Sequence, residues 1–266
     1  MNGLFLSVIP MLSVAFLSVA ALRAEEPRRG EKERPSFGLL AEVSAKEAQT
    51  RAQSWLEKTG KMDDQAFSAI WSSDRPVLER VAHTLALGND QAAQLLAQAN
   101  NPDVPAPTEV PALLKDKKVD RFLQANLAVA YARALANRRI FEEALGALDA
   151  VQAEDVVDPG AYLFCKAVCE HSLMLKEDAE GTIDRLLVDM PTAPERYRMV
   201  GALMHFDMLT WREKDLGWVA RKMGVIKDRL DLTRGGKKTQ RMQKEVVVRL
   251  DEMIKELENQ QKSGGG

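Results

Sequence analysis

Residues 126–151, NLAVAYARALANRRIFEEALGALDAV, decide the fold, because the chain says nearly the same thing again 35 residues later in 161–186, AYLFCKAVCEHSLMLKEDAEGTIDRL. On that offset Ala132 falls on Ala167 and Ala202, Ala144 on Ala179, Leu148 on Ile183 and Val151 on Leu186. Pro159 likewise falls on Pro194, and Tyr162 on Tyr197. A period of roughly 20–50 residues marks stacked supersecondary units, each unable to bury its apolar face alone. The reading is one helical hairpin repeated about three times between Asn126 and Met223. Its alanines remove bulk where antiparallel helices cross, and leucine-sized residues three or four positions away fill the grooves beside them.

The pattern Tyr131-Ala132-x-x-Leu135, followed by Phe141-x-x-Ala144-x-x-x-Leu148-x-x-Val151, resembles the tetratricopeptide repeats. The second unit keeps Ala167, Ala179, Ile183 and Leu186 but has Glu170 and Lys176 where that family has large apolar residues. In the third, Ala202 fits and a slip of two leaves Leu216, Val219 and Met223 to serve the second helix. The family's glycine is absent. The resemblance implies an all-α fold of stacked antiparallel hairpins in a right-handed array over about 117–223, with a surface for a protein or peptide partner. On the first helices, Asn126, Arg133, Asn137, Lys166, Glu170 and His205 are the candidate contacts.

Composition agrees with helices. The 266 residues are 45% apolar, 29% charged and 6% aromatic, with a formal charge of −2, so no global field selects nucleic acid or membrane. No alternating apolar run around an Asn-Gly turn announces a hairpin of strands. Residues 1–24 read as an export signal: an apolar run from Leu4 to Leu22 ends in small residues before Glu25-Glu26. No Lys or Arg precedes that run, and its length also suits one uncleaved membrane anchor. The protein is therefore expected outside the cytoplasm, periplasmic or secreted.

Residues 25–43 form a charged, proline-bearing leader. Helical periodicity begins after Ser44, an N-cap with Glu47 three residues on, and runs through Ala48, Ala52, Trp55 and Leu56. Further helices are expected over 66–71, 76–87 and 90–99, making a smaller N-terminal part over 44–100. Four prolines between Asn100 and Pro111 break the helical pattern. They mark a linker over 101–116, read either as a soft boundary or as a connection looped out of one continuous superhelix. At the C-terminal end, Leu216, Val219, Met223, Ile226 and Leu230, then Met242, Val246, Leu250, Met253 and Leu257, predict a long antiparallel helical hairpin over 216–261 with coiled-coil spacing. A flexible tail follows over 262–266.

No catalytic constellation emerges, and neither enzyme activity, metal nor cofactor is expected. Cys165 and Cys169 lie one turn apart, followed by His171. The spacing differs from the C-x-x-C-H of haem attachment, and a zinc site would need two more ligands, so buried thiols are the expectation. Glu142-Glu143 suits the positive end of a helix. The strongest alternative to a partner-binding scaffold is charge. Between Arg212 and Arg249 twelve Lys or Arg face five Asp or Glu, and Arg234, Lys237, Lys238 and Arg241 cluster at a Gly235-Gly236 turn. Such a tip suits nucleic acid, an acidic polysaccharide or anionic lipid. Trp211 and Trp218 flank it and are expected in the helical core. If the alanines set the helix spacing, Ala167→Leu overpacks that crossing and costs about 1–3 kcal/mol; an unchanged melting temperature would place the close approach elsewhere.

Overall fold

A computed structural model describes residues 40–116 and 118–263. Residues 1–24, read above as an export signal, most of the leader, Lys117 and residues 264–266 lie outside the described residues. The described chain is all-α: twelve α-helices and one 3-10 turn, without a strand. None of these helices is long and apolar enough to cross a membrane.

Helix α1 (Ala45–Thr59) opens where Ser44 accepts the Glu47 N–H at 3.2 Å, as the capping pattern predicts, and closes on Gly60 at φ 70°. It buries Ala48, Ala52, Trp55 and Leu56. Helices α2 (Asp64–Trp71), α3 (Val77–Gly88) and α4 (Asp90–Asn100) follow. The α3–α4 corner turns at Asn89, whose side chain accepts the Ala92 N–H at 2.9 Å. Gly88 closes that corner because Trp55 and Leu56 lie where its Cβ would stand, 2.5–2.8 Å away.

The repeated stretch folds as two equivalent hairpins. Helix α6 (Arg121–Asn137) returns as α7 (Phe141–Leu148), and α8 (Pro159–Ser172) returns as α9 (Lys176–Val188). Asp120 and Asp158 cap the first helices by accepting the N–H groups of Leu123 and Ala161. The period is written into the backbone as well: Arg139 (φ 58°) and Met174 (φ 61°) hold the left-handed position of each turn. The same closing bond follows, Ile140 N–H to Leu135 O at 3.0 Å and Leu175 N–H to Glu170 O at 2.9 Å. Ala132, Ala144, Ala167 and Ala179 are all fully buried. In the third unit the close approach belongs to Gly201 instead of Ala202, which is half-buried. A Cβ on Gly201 would stand 3.3 Å from Leu186 and 3.8 Å from Ile183.

The third unit departs from the expected hairpin. Helix α10 (Glu195–Leu209) packs on α8 and α9, but α11 (Leu216–Asp231) does not fold back along it; it pairs with α12 (Lys237–Ser263). Leu216 and Met223, expected to serve the second helix of this unit, are 64% and 54% exposed. The expected single stripe is split. Val219 and Ile226 enter the α11–α12 seam with Val246, Trp218 and Met242, while Leu216, Met223, Leu230, Leu250 and Leu257 remain outside it. Trp211 and Trp218 are half-buried at the edges of apolar clusters, Trp211 on that of Ala167 and Met208 and Trp218 in the α11–α12 seam. Trp211 donates to Asp207 at 2.9 Å and carries the Arg221 guanidinium 4.6 Å above its ring.

The linker is a surface connection, not a domain boundary. Its end forms a helical turn, α5 (Ala112–Lys115), that buries Leu114 completely. Arg138 donates to the carbonyls of Gln98, Ala99 and Val104, holding the loop against the end of α6. One apolar core takes in buried residues from Leu40 to Tyr197 across this loop, and Ala167, Ala179, Ile183, Met204 and Met208 form a second, smaller cluster. The leader likewise ends before residue 43. Leu40 is buried and bonds Asp189 O, and Val43 N–H bonds Val157 O at 3.0 Å.

Two glycines test this packing in opposite directions. Gly88→Ala meets the Trp55 ring and costs about 1–3 kcal/mol, whereas Gly181→Ala, mid-helix with nothing near its Cβ, gains about 0.5–1 kcal/mol. Chemical denaturation of the two variants reads both shifts; equal destabilisation by both would contradict the Trp55 contact.

Candidate functional site

The first helices of the hairpins line a groove. Along α6 the residues Ala130, Arg133 and Asn137 share one face, at the spacing that brings side chains onto successive turns. From α8 come Ala161, Phe164, Cys165 and Val168, and from α10 Arg196, Tyr197 and Val200. This segment encloses about 350 Å³. It adjoins a second hollow of about 530 Å³ between α3, α4 and α6, walled by Glu79, His83, Leu96 and Asn100, and Arg133 and Asn137 line both.

The groove is built stiffly. Phe164 and Tyr197 stack with ring centroids 4.4 Å apart, and the Arg196 guanidinium lies 5.0 Å from the Tyr197 ring centroid. Arg133 has one long ion pair, 3.8 Å to Glu79. Below it sits Asp158, whose carboxyl is pushed up by burial, an effect opposed by its bond from Ala161 and by Arg133 and Arg196. The surface offered outward is two guanidiniums, one amide and an apolar floor of Phe164, Val168 and Val200.

Only Arg133 and Asn137 among the six candidate contacts line this groove. Asn126 is fully buried and structural: its Nδ2 donates to Phe122 O and its Oδ1 accepts the Val157 N–H, both at 2.9 Å. Lys166 points toward α7, 3.7 Å from Asp149 and 4.0 Å from Glu170. Glu170 is buried, with one carboxylate oxygen lacking a partner. His205 is half-buried beside Phe206, its Nδ1 enclosed and unbonded. Phe164, Arg196 and Val200 were not anticipated. For Val200 and Arg196 the signal is the same 35-residue offset, which carries Ala130 to Cys165 to Val200 and Ala161 to Arg196; Phe164 has none, because the offset carries it back to the buried Val129.

The basic tip is largely engaged within the chain. Arg229 and Lys238 donate to Glu142, the latter at 2.6 Å; Arg234 lies 3.4 Å from Glu142 and 2.9 Å from Glu143, and donates to Pro107 O at 2.6 Å. Burial acts to raise the Glu142 carboxyl, but the hydrogen bonds from Lys238 and Arg229 outweigh it and hold it below the usual range. Of the four candidate anion-binding bases, Lys237 and Arg241 alone make no ion pair among the described residues. The thiols of Cys165 and Cys169 are free and buried; a hydrogen bond to Cys165 that favours the protonated thiol, and then burial, push Cys169 far up.

No protein-family model, curated protein or solved structure matches the chain. Its class therefore rests on its own geometry: an all-α protein of helices packed in neighbouring pairs.

Glu170 yields a signed prediction. Burial pushes its carboxyl up to about 7 from an ordinary 4.5, against the hydroxyl of Thr182 and the charge of Lys166. The folded chain thus holds a proton that the unfolded chain has released. This carboxyl favours the fold most below 4.5, and that contribution is lost as pH rises through 7. Glu170→Gln removes the charge and is expected to add about 1–3 kcal/mol near pH 8 and almost nothing near pH 5. Melting curves at both values check it, and an equal gain at each would contradict a buried carboxylate.

Proposed function

We propose that this chain is an exported, non-catalytic scaffold of tetratricopeptide-like hairpins that holds a peptide segment of another protein along the α6–α8–α10 groove. The observation that carries the reading is the placing of Arg133 and Arg196, on the first helices either side of α8, over the apolar floor of Phe164, Val168 and Val200. A groove of that chemistry suits a segment with a carboxylate beside an apolar side chain. Stacked hairpins present such surfaces without moving parts, so recognition is carried by side chains on rigid helices. Placement outside the cytoplasm rests on residues 1–24, and the mass of the purified native chain, expected to begin near Glu25, tests it.

The basic tip is the weaker reading, because Arg234 and Lys238 are occupied by Glu142 and Glu143.

A random peptide library displayed against the full chain provides the test. Peptides carrying an acidic and an apolar residue close together are expected to enrich, and Arg133→Glu with Arg196→Glu should weaken them at least about tenfold, or 1.4 kcal/mol, with the helical circular dichroism retained. Enriched peptides indifferent to both reversals would overturn the groove as the site.

A further inference from the structure

The α11–α12 hairpin turns one face to the body of the protein through Glu142 and leaves the opposite face apolar and uncovered. On α12 the residues Val247, Leu250, Ile254 and Leu257 stand at intervals of 3, 4 and 3, and Val247, Ile254 and Leu257 are each more than half exposed. Turned away from the seam that Val246 makes with α11, they form a coiled-coil stripe of their own. On α11 the exposed Leu216, Met223 and Leu230 recur every seven residues. At about 100° per residue, both stripes fall on the side of the hairpin away from Lys238 and its Glu142 contact.

Helix α12 also outruns its partner. Arg249 donates to Lys214 O at 2.5 Å, just before α11 begins, so residues 250–263 project about 20 Å beyond the pair. A single projecting amphipathic helix in water is marginal unless its apolar stripe is covered.

We propose that a second copy of this chain covers it, α12 lying antiparallel on α12 about a two-fold axis near residue 252. The stripe is self-complementary in that register: Val247 meets the partner's Leu257, and Leu250 meets the partner's Ile254. Each layer occurs twice, as a two-fold interface requires. Gln243 meets the partner's Gln261 and ends the apolar run at each side. Charge selects the direction. Up to residue 249, α12 carries Lys237, Lys238, Arg241, Lys244 and Arg249 against Glu245; beyond it come Asp251, Glu252, Glu256 and Glu258 against Lys255 and Lys262. Antiparallel packing lays the basic half on the acidic half, and parallel packing lays like on like. Lys244 and Glu258, which form no ion pair among the described residues, are brought together in both halves. One contact is unfavourable: Asp251 faces its own copy at the axis.

Sedimentation of the full chain across a dilution series, beside single-cysteine variants, tests this. The expected result is a concentration-dependent dimer, weakened at least a hundredfold by Leu250→Glu with Ile254→Glu and tightened by Asp251→Asn. Under oxidation, Asp251→Cys should give a covalent dimer and Leu257→Cys should not, because antiparallel packing separates the latter pair by about 15 Å. The cysteine pair reads register even if the glutamates unwind the projecting helix. A monomer up to about 100 μM overturns the proposal, as does covalent dimer from Leu257→Cys alone. It is equally overturned by a dimer that survives the glutamates but is lost on changing Met199, Leu203 and Phe206 of α10 to Ser, or by a monomer that floats with phosphatidylglycerol vesicles.

Discussion

At the first turn of α7 one carboxylate, Glu142, receives Arg229, Arg234 and Lys238 from a hairpin 87–96 residues further along the chain. An exposed ion pair contributes little, but this group is partly buried and its cations are held in a network with Glu143, Thr239 and the Pro107 carbonyl. The apolar seam inside the α11–α12 hairpin is small, three buried residues and two half-buried ones. Against the body the hairpin is held by this network, by Arg139 on Asp228 and by Leu232 packed on the main core. Because α11 is drawn to α7, it is not available to α10. The open outer face of α10 and the uncovered face of α12 follow from the same attraction.

The two regular hairpins were legible because their information is local and periodic: small residues at the crossings, an acidic pair at the start of a second helix, and a 35-residue offset that no tertiary contact needed to supply. The third was not. Leu216, Val219 and Met223 have a spacing that suits either α10 or α12, and the choice is made by Glu142, whose partners are too distant in sequence to be read from spacing. The linker was legible as a loop but not in its contacts, for a related reason. Its prolines exclude helix where they stand, yet say nothing of Leu114, which reaches the core once Arg138 pins the loop. Of the candidate site, Arg133 and Asn137 were legible. Asn126 and Glu170 were misplaced because a polar residue on a first helix can serve the bond that closes the next unit as readily as a ligand, and Asn126 does so by accepting the Val157 N–H.

Groove and hairpin divide the molecule's surface chemistry. The groove combines guanidiniums with an apolar floor, a mixture that gives orientation to whatever lies in it. The hairpin's outer face is aliphatic, without an aromatic or a charge inside its stripe, a composition that packs against its like. The two surfaces arise from different elements, so occupation of one need not obstruct the other.

The turn residues carry a further meaning. Arg139, Met174 and Thr233 all take the left-handed conformation, and each is followed by the same bond back across the helix end, Arg234 N–H to Arg229 O at 2.8 Å in the last case. Glycine adopts that conformation without strain; a side chain there, above all the branched one of Thr233, costs about 1–3 kcal/mol. The hydrogen-bonded helix ends must therefore outweigh the resistance of three side chains. The fold has not exhausted its means of hardening: glycine at Met174 and Thr233 would relieve that strain, whereas Arg139 also holds Asp228 of α11 at 3.2 Å and is bound to its place by that contact.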